Sequence, residues 1–475
     1  FQLKHKARET AWGQRKLLDG LVDITRTGSA YIKCEEMEDD VFVSAKNLGS
    51  ALHGDRVQIN VWMPRGRMRP EGEVVKVLER ASEQFVGTLW LRRHHAVVVP
   101  TRRDMLIDIH VELDDVKNAE DGDRVVVKVV EWHKTQEQRP RGVVTSILGV
   151  EGSDLEMKAI LINNGFNLEF PPEALEESED LPGKIPVAEI NRRRDFRKIV
   201  TFTIDPEDAK DFDDALSIRW LDNGHVEVGV HIADVTHFIK SGTALDKEAL
   251  RRSTSVYLVD RVLPMLPERL SNDLCSLRPN EDRLTFSAVF EFDKNEKIID
   301  RWFGKTIIHS DRRFSYEQAQ EVIETGEGDF ANELKVLNHL AKKLRKDRFK
   351  HGAIDFETEE VRFRLDDDGV PVEVYVKERF DAHMLIEDFM LLANKEVATF
   401  MHEKGKTQQE VPFVYRIHDS PNMEKVAELA LFAKEMGFQM HINTPKEISA
   451  SFNRLAKATE ENESLKLLHI CKLVW

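Results

Sequence analysis

The first third of the chain repeats itself, and this repeat restricts the possible folds more than any other feature. The pattern Asp-Val-Phe-Val-Ser begins at Asp40, and a similar pattern, Asp-Ile-His-Val-Glu, begins at Asp108. The pattern Gly-Asp-Arg-Val begins at Gly54 and returns at Gly122, again at an offset of 68 residues. A fixed period marks one structural unit built twice. Alternating apolar residues after each glycine predict short strands with one buried face.

Short, evenly spaced strands in a unit of this size predict a small closed barrel, and five strands would make an oligonucleotide-binding barrel. We therefore expect two all-β barrels, at residues 17–80 and 81–150. Such barrels bind single strands by stacking bases on aromatic side chains within a positively charged groove. Each candidate aromatic could instead be a core residue; the candidates are Tyr31, Phe42, Phe85 and Trp90.

The net charge of −16 argues against nucleic-acid binding only if the chain is taken as a whole. Residues 1–150 contain 24 Lys and Arg against 23 Asp and Glu, whereas the remainder contains 45 against 62. The acidity therefore lies in the C-terminal part. Basic clusters in the first part could contact phosphates or be solvated loop charges. They comprise Arg65, Arg67, Arg69, Arg92, Arg93, Arg102 and Arg103.

The three cysteines, Cys34, Cys275 and Cys471, are odd in number and show no metal-binding spacing. This usage predicts a reduced, cytoplasmic setting. No apolar run is long enough to span a bilayer, so we expect no membrane partner. Residues 151–198 read as a linker, with a helix at 155–163 and arginines before the next strand that could contact phosphates.

Four aspartates stand close together in the segment Ile-Asp-Pro-Glu-Asp-Ala-Lys-Asp-Phe-Asp-Asp, which spans residues 204–214. They are Asp205, Asp211, Asp213 and Asp214. A predicted strand at 200–204 leads in, and a hairpin with arms at 215–221 and 225–231 leads out. Its turn is predicted at Asn223-Gly224, a two-residue turn signal. If the segment is extended, Asp211 and Asp213 point the same way.

Converging carboxylates need a cation, because two unit charges about 4 Å apart repel by roughly 4 kcal/mol at an effective dielectric near 20. Oxygen ligands without His or Cys favour Mg²⁺ or Mn²⁺. One or two such ions can activate water and stabilise the leaving oxygen of a phosphodiester. An exposed acidic turn remains an alternative. A calcium loop is another, although Leu216 stands where the EF-hand pattern requires glycine.

Three segments carry a family resemblance: residues 204–216, residues 228–239 (Val-Gly-Val-His-Ile-Ala-Asp-Val-Thr-His-Phe-Ile) and residues 254–277, which include Ser-Val-Tyr-Leu and Ser-Asn-Asp-Leu-Cys-Ser-Leu. They resemble the catalytic domain of the ribonuclease II and ribonuclease R (RNB) family of exoribonucleases, and the barrels resemble its paired cold-shock domains. Gly-Ser-Ala-Tyr-Ile and His-Gly-Asp-Arg-Val in the first barrel favour the ribonuclease R branch. The resemblance implies a multidomain fold: two cold-shock barrels, then an α+β RNB catalytic domain at 199–475.

The resemblance also implies site residues and a reaction. The residues that hold the metal and activate water would be Asp205, Asp211, Asp213 and Asp214. Tyr257 would pack near the scissile end of the RNA and Phe356 would close the base stack. Tyr316 and Glu387 would contact the terminal nucleotides, where the ribose 2′-OH can be sensed. The implied activity is processive, Mg²⁺-dependent (or Mn²⁺-dependent) 3′→5′ hydrolysis of single-stranded RNA to nucleoside 5′-monophosphates by a monomer.

The chain departs from the family pattern at its C-terminus. The family's Thr-Ser-Pro-[Ile/Leu]-Arg-[Arg/Lys] segment and its third barrel do not occur in the sequence. That arginine stabilises charge on the scissile phosphate, so we expect a truncated catalytic domain with weak or no activity. The alternatives are a non-catalytic RNA-binding fragment or inactive homologue and, less favoured, a metal-dependent DNA exonuclease.

Local patterns complete the predictions for the catalytic domain. Strands are expected at 286–292 and 298–308, and helices at 315–324, 329–350 and 381–403. Ser315 and Gln318 form a capping-box pattern around Tyr316. Glu387 stands in an apolar helical run and should be paired, metal-linked or facing a cavity. The histidines at 231 and 237 are predicted to be structural.

Overall fold

The structure, a computed structural model, describes residues 16–25, 27–37, 39–64, 69–102, 107–132, 139–149, 153–354, 360–366, 369–407, 412–417 and 420–461. The predictions for Arg65, Arg67, Arg103, Phe356 and Cys471 lie outside these residues. The chain divides into two compact units, one holding the barrels up to Phe170 and the other beginning at Pro171. None of the helices in the described ranges combines the length and hydropathy needed to cross a membrane.

The first unit contains two closed five-stranded barrels, as the repeat predicted. In both barrels the strands pair in the same circular order. Inward-facing residues such as Val57, Ile59 and Val61 are completely buried. The first barrel consists of β1 (Lys16–Ile24), β2 (Ala30–Lys33), β3 (Val41–Val43), β4 (Arg56–Trp62) and β5 (Glu71–Glu79). The second consists of β6 (Gln84–Leu91), β7 (Ala96–Pro100), β8 (Ile109–Val111), β9 (Arg124–Glu131) and β10 (Arg141–Gly149).

The repeated Gly-Asp pair closes the same turn in both barrels. Gly54 has φ +83° and Gly122 has φ +95°, a backbone region that favours glycine. The carboxylate of Asp55 accepts a hydrogen bond from the Leu52 amide, and that of Asp123 accepts one from the Glu120 amide. The repeat therefore preserves a specific turn as well as the strand pattern.

A helix, α1 (Ser153–Asn163), follows the second barrel and packs Ala159 and Ile162 against Val86 and Val126. It confirms the predicted helix in this segment. Further along the segment come α2 (Pro172–Glu179) and α3 (Val187–Ile190).

The second unit is built on a seven-stranded mixed sheet. Its strand order is β11-β18-β17-β14-β13-β12-β19. These strands are β11 (Arg194–Asp195), β12 (Thr201–Asp205), β13 (Asp214–Trp220), β14 (Val226–Ala233), β17 (Asp282–Phe292), β18 (Ile298–His309) and β19 (Arg312–Ser315). Two small hairpins pair β15 (Val256–Tyr257) with β16 (Val262–Leu263), and β20 (Val361–Leu365) with β21 (Pro371–Val376).

Three helices of this unit, at 316–325, 331–350 and 381–407, agree with the predicted ones to within about a turn, and the other four were not predicted. Strand β17 begins at Asp282, earlier than expected. The helices are α4 (Val235–Phe238), α5 (Ala244–Arg252), α6 (Tyr316–Thr325), α7 (Ala331–Lys350), α8 (Asp381–Thr407), α9 (Met423–Glu435) and α10 (Pro445–Glu461). A short π-helix spans Arg269–Leu274.

Both faces of the sheet carry a hydrophobic core. On one face, Phe202, Leu216 and Phe290 pack against helices α6 to α8. On the other face, Ala215 and Val289 join a cluster formed by α5 and the π-helix. Because the central strands are covered on both sides, their ends form a rigid frame for the loops that leave them.

The turn between β13 and β14 has the length that the predicted arms at 215–221 and 225–231 leave, but not the two-residue form that Asn223-Gly224 signals. The Leu221 amide donates a hydrogen bond to the His225 carbonyl at 2.9 Å, so three residues, 222–224, form the turn instead of two. Gly224, at φ +80°, takes the left-handed position that ends a three-residue hairpin loop.

Candidate active site

Asp205 ends a fully buried strand. All five residues of β12 are buried, and Asp205 retains only 8% of its exposed surface. Parallel pairing with β19 places Ser315 opposite Asp205 in the register. Tyr316, the next residue, therefore begins helix α6 beside the end of β12.

The other three aspartates surround a buried phenylalanine. Phe212, 8% exposed, is anchored in the core on the α5 side of the sheet. Asp211 and Asp213 flank it in the sequence, and the charge of Asp211 raises the pKa of Asp213. Asp214 is the first residue of β13, and the Ala233 amide donates to the Asp213 carbonyl at 3.0 Å.

A buried serine holds the loop around Asp211. The Ser276 hydroxyl donates to the Lys210 carbonyl at 2.7 Å and accepts from the Phe212 amide at 3.1 Å. These are the two backbone groups on either side of Asp211. Ser276 is 1% exposed, and sequence reasoning missed it. It lay within one of the segments that carried the resemblance, but a lone serine gave no chemical signal.

An arginine holds the start of the same loop. Arg313 Nη2 donates to the carbonyls of Pro206 and Glu207, at 2.5 and 2.7 Å. Its guanidinium also lies 5.6 Å from the centre of the Phe212 ring. Sequence reasoning missed Arg313 too; its place three residues before Tyr316 was the available signal.

The site raises the pKa of three of its carboxyls. Burial raises the pKa of Asp205 to about 6; Thr203 and then Arg313 oppose the rise, and Asp213 and Asp211 add to it. Burial and the charges of Asp205 and Asp213 raise the pKa of Asp214 to about 7. The pKa of Asp213 is raised by partial desolvation and by Asp211. The aspartates are thus close enough to disfavour one another's ionisation.

The fit to a metal ion is mixed. Among the described residues, Asp205 Oδ2 is buried and has no hydrogen-bond partner, as expected of an oxygen reserved for a ligand. The all-oxygen donor set also suits Mg²⁺ or Mn²⁺. However, no three His, Cys, Asp or Glu side chains within the described ranges are placed so that they could hold an ion. A preformed cage of four aspartates is therefore not observed, in keeping with their mutual repulsion.

Two of the predicted tyrosines lie at the aspartates. The Tyr257 hydroxyl donates to Asp211 Oδ2 at 3.3 Å, while the side chain stays 66% exposed on the β15–β16 hairpin. Burial and the charges of Asp205 and Asp214 raise the pKa of Tyr316 to about 12. The predicted capping box around Tyr316 is confirmed, with Ser315 and Gln318 bonded reciprocally.

Glu387 is paired, but not in the apolar setting that its sequence context suggested. Its side chain is 42% exposed and lies 2.5 Å from Arg379 and 3.7 Å from Arg348. Of the two histidines, His231 is confirmed as structural: it is fully buried between the hydroxyls of Ser217 and Ser287, each at 2.7 Å.

Of the four aromatic residues predicted as candidate platforms in the barrels, three are at least partly exposed and one is buried. Phe85 is fully buried in the second barrel, so it is a core residue, the stated alternative, and not a platform. Trp90 is 39% exposed. Tyr31 and Phe42 are half-buried in edge-to-face contact, and Arg69 donates to the Tyr31 hydroxyl at 3.4 Å.

Comparison with known families identifies the catalytic unit and the two barrels. The RNB domain profile matches residues 193–472, more than half of the chain. The chain belongs to the RNB family. In this RNB protein the Ribonuclease B OB domain matches residues 20–77 and the Cold shock domain matches residues 98–171.

Individual relatives agree with this family. Ribonuclease R of Thermotoga maritima is 34% identical over 432 residues, which cover 88% of this chain and 59% of that protein. The protein of Arabidopsis thaliana named Inactive exonuclease DIS3L2 is 34% identical over 442 residues, covering 82% of this chain and 41% of that protein. The chain thus spans about half the length of these relatives.

A solved structure shows the same fold. Mycoplasma genitalium RNase R, in complex with ribose-methylated single-stranded RNA, superimposes with a TM-score of 0.84 at 24% identity. The match covers 96% of this chain and 72% of that one. It confirms two barrels followed by an α+β RNB domain.

Proposed function

We propose that this chain is a 3′→5′ exoribonuclease, which hydrolyses single-stranded RNA processively to nucleoside 5′-monophosphates with Mg²⁺ or Mn²⁺. The observation that carries the proposal is the grouping of four aspartates and two tyrosines at the end of β12. The charge of Asp205 raises the pKa of Asp214, and the Tyr257 hydroxyl donates a hydrogen bond to Asp211. Family membership supports the reaction class.

The aspartates would bind the cation and handle the proton of the attacking water. A bound divalent ion would polarise the phosphodiester and favour deprotonation of water. Asp205, whose Oδ2 has no partner among the described residues, is the first candidate ligand, with Asp211, Asp213 and Asp214 completing the set. The pKa of Asp214 is about 7 in the ion-free site, so binding of the ion near neutral pH would release a proton from this carboxyl.

The tyrosines would hold the 3′ end. Tyr257 is exposed, so its ring offers a surface to a nucleotide while its hydroxyl stays tethered to Asp211. Tyr316 remains a protonated donor because its pKa is about 12. We propose that Tyr316 and Glu387 contact the terminal nucleotides and that Phe356 closes the base stack.

The barrels would supply sequence-tolerant binding of the strand. Tyr31, Phe42 and Trp90 keep partly exposed rings, and Arg69 lies beside Tyr31. Aromatic stacking and basic side chains are the usual elements of such binding. We further propose domain limits of 17–80 and 81–150 for the barrels, 151–198 for the linker and 199–475 for the catalytic domain. A cytoplasmic, monomeric protein is proposed as well, and the two buried free cysteines support the reducing location.

The test is degradation of a 5′-labelled single-stranded RNA with Mg²⁺. The unsubstituted chain and Asp222→Asn, which changes an exposed turn aspartate at the far end of β13, should shorten the RNA from its 3′ end at the low rate that the sequence predicts. Asp213→Asn should lower the rate roughly a hundredfold or more, the scale on which one charge-stabilising group acts. RNA binding by filter retention should be equal in all three proteins.

A non-catalytic RNA-binding protein is the second candidate. The inactive relative and the absence of a preformed metal cage among the described residues favour it. This second function predicts tight RNA binding by the unsubstituted chain, Asp222→Asn and Asp213→Asn, and no shortening of the RNA by any of them. That outcome would reject the exonuclease proposal.

A further inference from the structure

Tyr316 does not stand alone at the aspartates, because a histidine covers one face of its ring. The rings of Tyr316 and His383 stack with centroids 3.8 Å apart and planes inclined by only 10°. Tyr316 begins α6 and His383 lies in the first turn of α8, so the pair joins two helices. The contact is tighter and more parallel than the tilted packing of Phe380 on the same histidine, at 5.5 Å and 44°.

The orientation of the His383 ring is fixed by the backbone. The Phe380 amide donates to Nδ1 at 3.2 Å, so Nδ1 is an acceptor and the proton of the neutral ring belongs to Nε2. Burial, with Lys377 adding to the effect, lowers the pKa of His383 to about 4. The ring is therefore uncharged at neutral pH, and its remaining polar group is an Nε2–H donor.

The backbone at Tyr316 is fixed by the start of α6, whereas ring orientation depends on the stack with His383. The capping box at Ser315 sets the first turn of α6, and Ser315 itself pairs with Asp205 across β12 and β19. Among the described residues, neither the Tyr316 hydroxyl nor His383 Nε2 has a hydrogen-bond partner. Neither atom is among the buried polar atoms of the described ranges that lack a partner, so both donors on the stacked pair reach solvent and are open to a ligand.

We propose that His383 is a specificity-determining residue, which holds the Tyr316 ring in register with the aspartates so that the stacked pair distinguishes ribose from 2′-deoxyribose at the 3′ end. The inference rests on the proposed exoribonuclease function. A site built to hydrogen-bond a substrate hydroxyl discriminates against the analogue that lacks it, because its polar groups are then left unpaired. Without the histidine, the tyrosine ring could rotate, and this discrimination would fall even if hydrolysis continued.

The experiment compares two RNA oligonucleotides that differ by one 2′-deoxy substitution at the 3′-terminal nucleotide. The ratio of their kcat/KM values is measured for the unsubstituted chain, His383→Ala and His383→Phe. The matched control is His402→Ala, an exposed histidine on the same helix. Because the readout is a ratio, a general loss of stability or activity does not change it.

We expect a clear preference for the all-ribose substrate in the unsubstituted chain and in His402→Ala. His383→Ala should reduce this ratio at least about tenfold, the effect of losing a single well-placed contact. His383→Phe keeps the stacked surface without Nε2–H, so it should retain part of the ratio if stacking orients Tyr316. An unchanged ratio in both His383 variants would overturn the inference.

Failure of the proposed function would be recognised separately. If the unsubstituted chain hydrolyses neither substrate, the two oligonucleotides are compared by equilibrium binding in EDTA. A preference for the all-ribose strand that disappears in His383→Ala would then support the inference without catalysis. Equal binding of both strands by the unsubstituted chain would refute it.

Discussion

Substitution of Ser276 by alanine should separate the position of the aspartates from the stability of the fold. The substitution removes a hydroxyl that donates to the Lys210 carbonyl and accepts from the Phe212 amide. A buried polar group left without a partner costs about 1–3 kcal/mol. Because the loop backbone can shift to reach solvent, we expect a total loss of about 1–3 kcal/mol in the free energy of unfolding. The same shift would displace Asp211.

The cost to catalysis should be larger than the cost to stability suggests. A displacement of about 1 Å of a reacting group can lower the rate roughly a hundredfold. We therefore expect kcat to fall by about ten- to a hundredfold in Ser276→Ala, with KM for RNA nearly unchanged. Affinity for Mn²⁺, measured by calorimetry without RNA, should fall as well.

Ser287 provides a matched control. It is also 1% exposed, and its hydroxyl bonds His231 Nδ1 at 2.7 Å and the Thr306 hydroxyl at 2.5 Å, within the sheet and outside the aspartate loop. Ser287→Ala should lose a similar free energy of unfolding in urea but keep its kcat and Mn²⁺ affinity. Full kcat in Ser276→Ala, or equal losses of kcat in both variants, would refute the positioning role of Ser276.

The remaining predictions concern charge and stability. In the folded protein the pKa values of Asp205 and Asp214 are raised from an ordinary 3.8 to about 6 and about 7, so the folded state binds these protons more tightly than the unfolded state. Their contribution to the free energy of unfolding is therefore complete below pH about 4 and is lost as the pH rises through about 6 and about 7. In urea unfolding in EDTA, Asp214→Asn should therefore gain stability relative to the unsubstituted chain as the pH rises from 4 to 8; a difference between the two proteins that does not change with pH would contradict the shift at Asp214. Arg80→Ala should cost about 3–5 kcal/mol, because it strands the fully buried Asp55 carboxylate and uncovers the Trp132 ring 3.7 Å away. Trp fluorescence during urea unfolding measures this, and a loss below about 1 kcal/mol would show that the pair matters little.

Local signals in the sequence predicted the features that depend on neighbours along the chain. The repeat at Gly54 and Gly122 identified both barrels, since each glycine and the aspartate after it form a turn by themselves. The capping box at Ser315 placed the start of α6 for the same reason. The hairpin turn after β13 takes a three-residue form instead of the two-residue form that Asn223-Gly224 signals, because Asn-Gly is compatible with both two- and three-residue loops.

Residues that act across the fold could not be predicted in this way. Ser276 and Arg313 reach the aspartate loop from other elements, and no periodicity in the sequence links them to it. His383 stacks on Tyr316 only because α6 and α8 pack against the same face of the sheet. Phe85 shows another limit of the sequence. An aromatic residue in a strand can face either the core or the solvent, and Phe85 faces the core.

The aspartate loop is held mainly through its backbone carbonyls, by residues outside it. Arg313, Ser276 and the Leu277 amide donate to four loop carbonyls, at Pro206, Glu207, Lys210 and Phe212. Each such bond contributes about 0.5–1.5 kcal/mol net, whereas two carboxylates about 4 Å apart repel by roughly 4 kcal/mol at an effective dielectric near 20. The scaffold therefore fixes the backbone but leaves the side chains to be neutralised by a proton or a cation. Binding of a cation should accordingly draw the carboxylates together without rebuilding the loop. Substitutions at the anchors Ser276 and Arg313 should weaken that binding, but less than substitutions at the aspartates themselves.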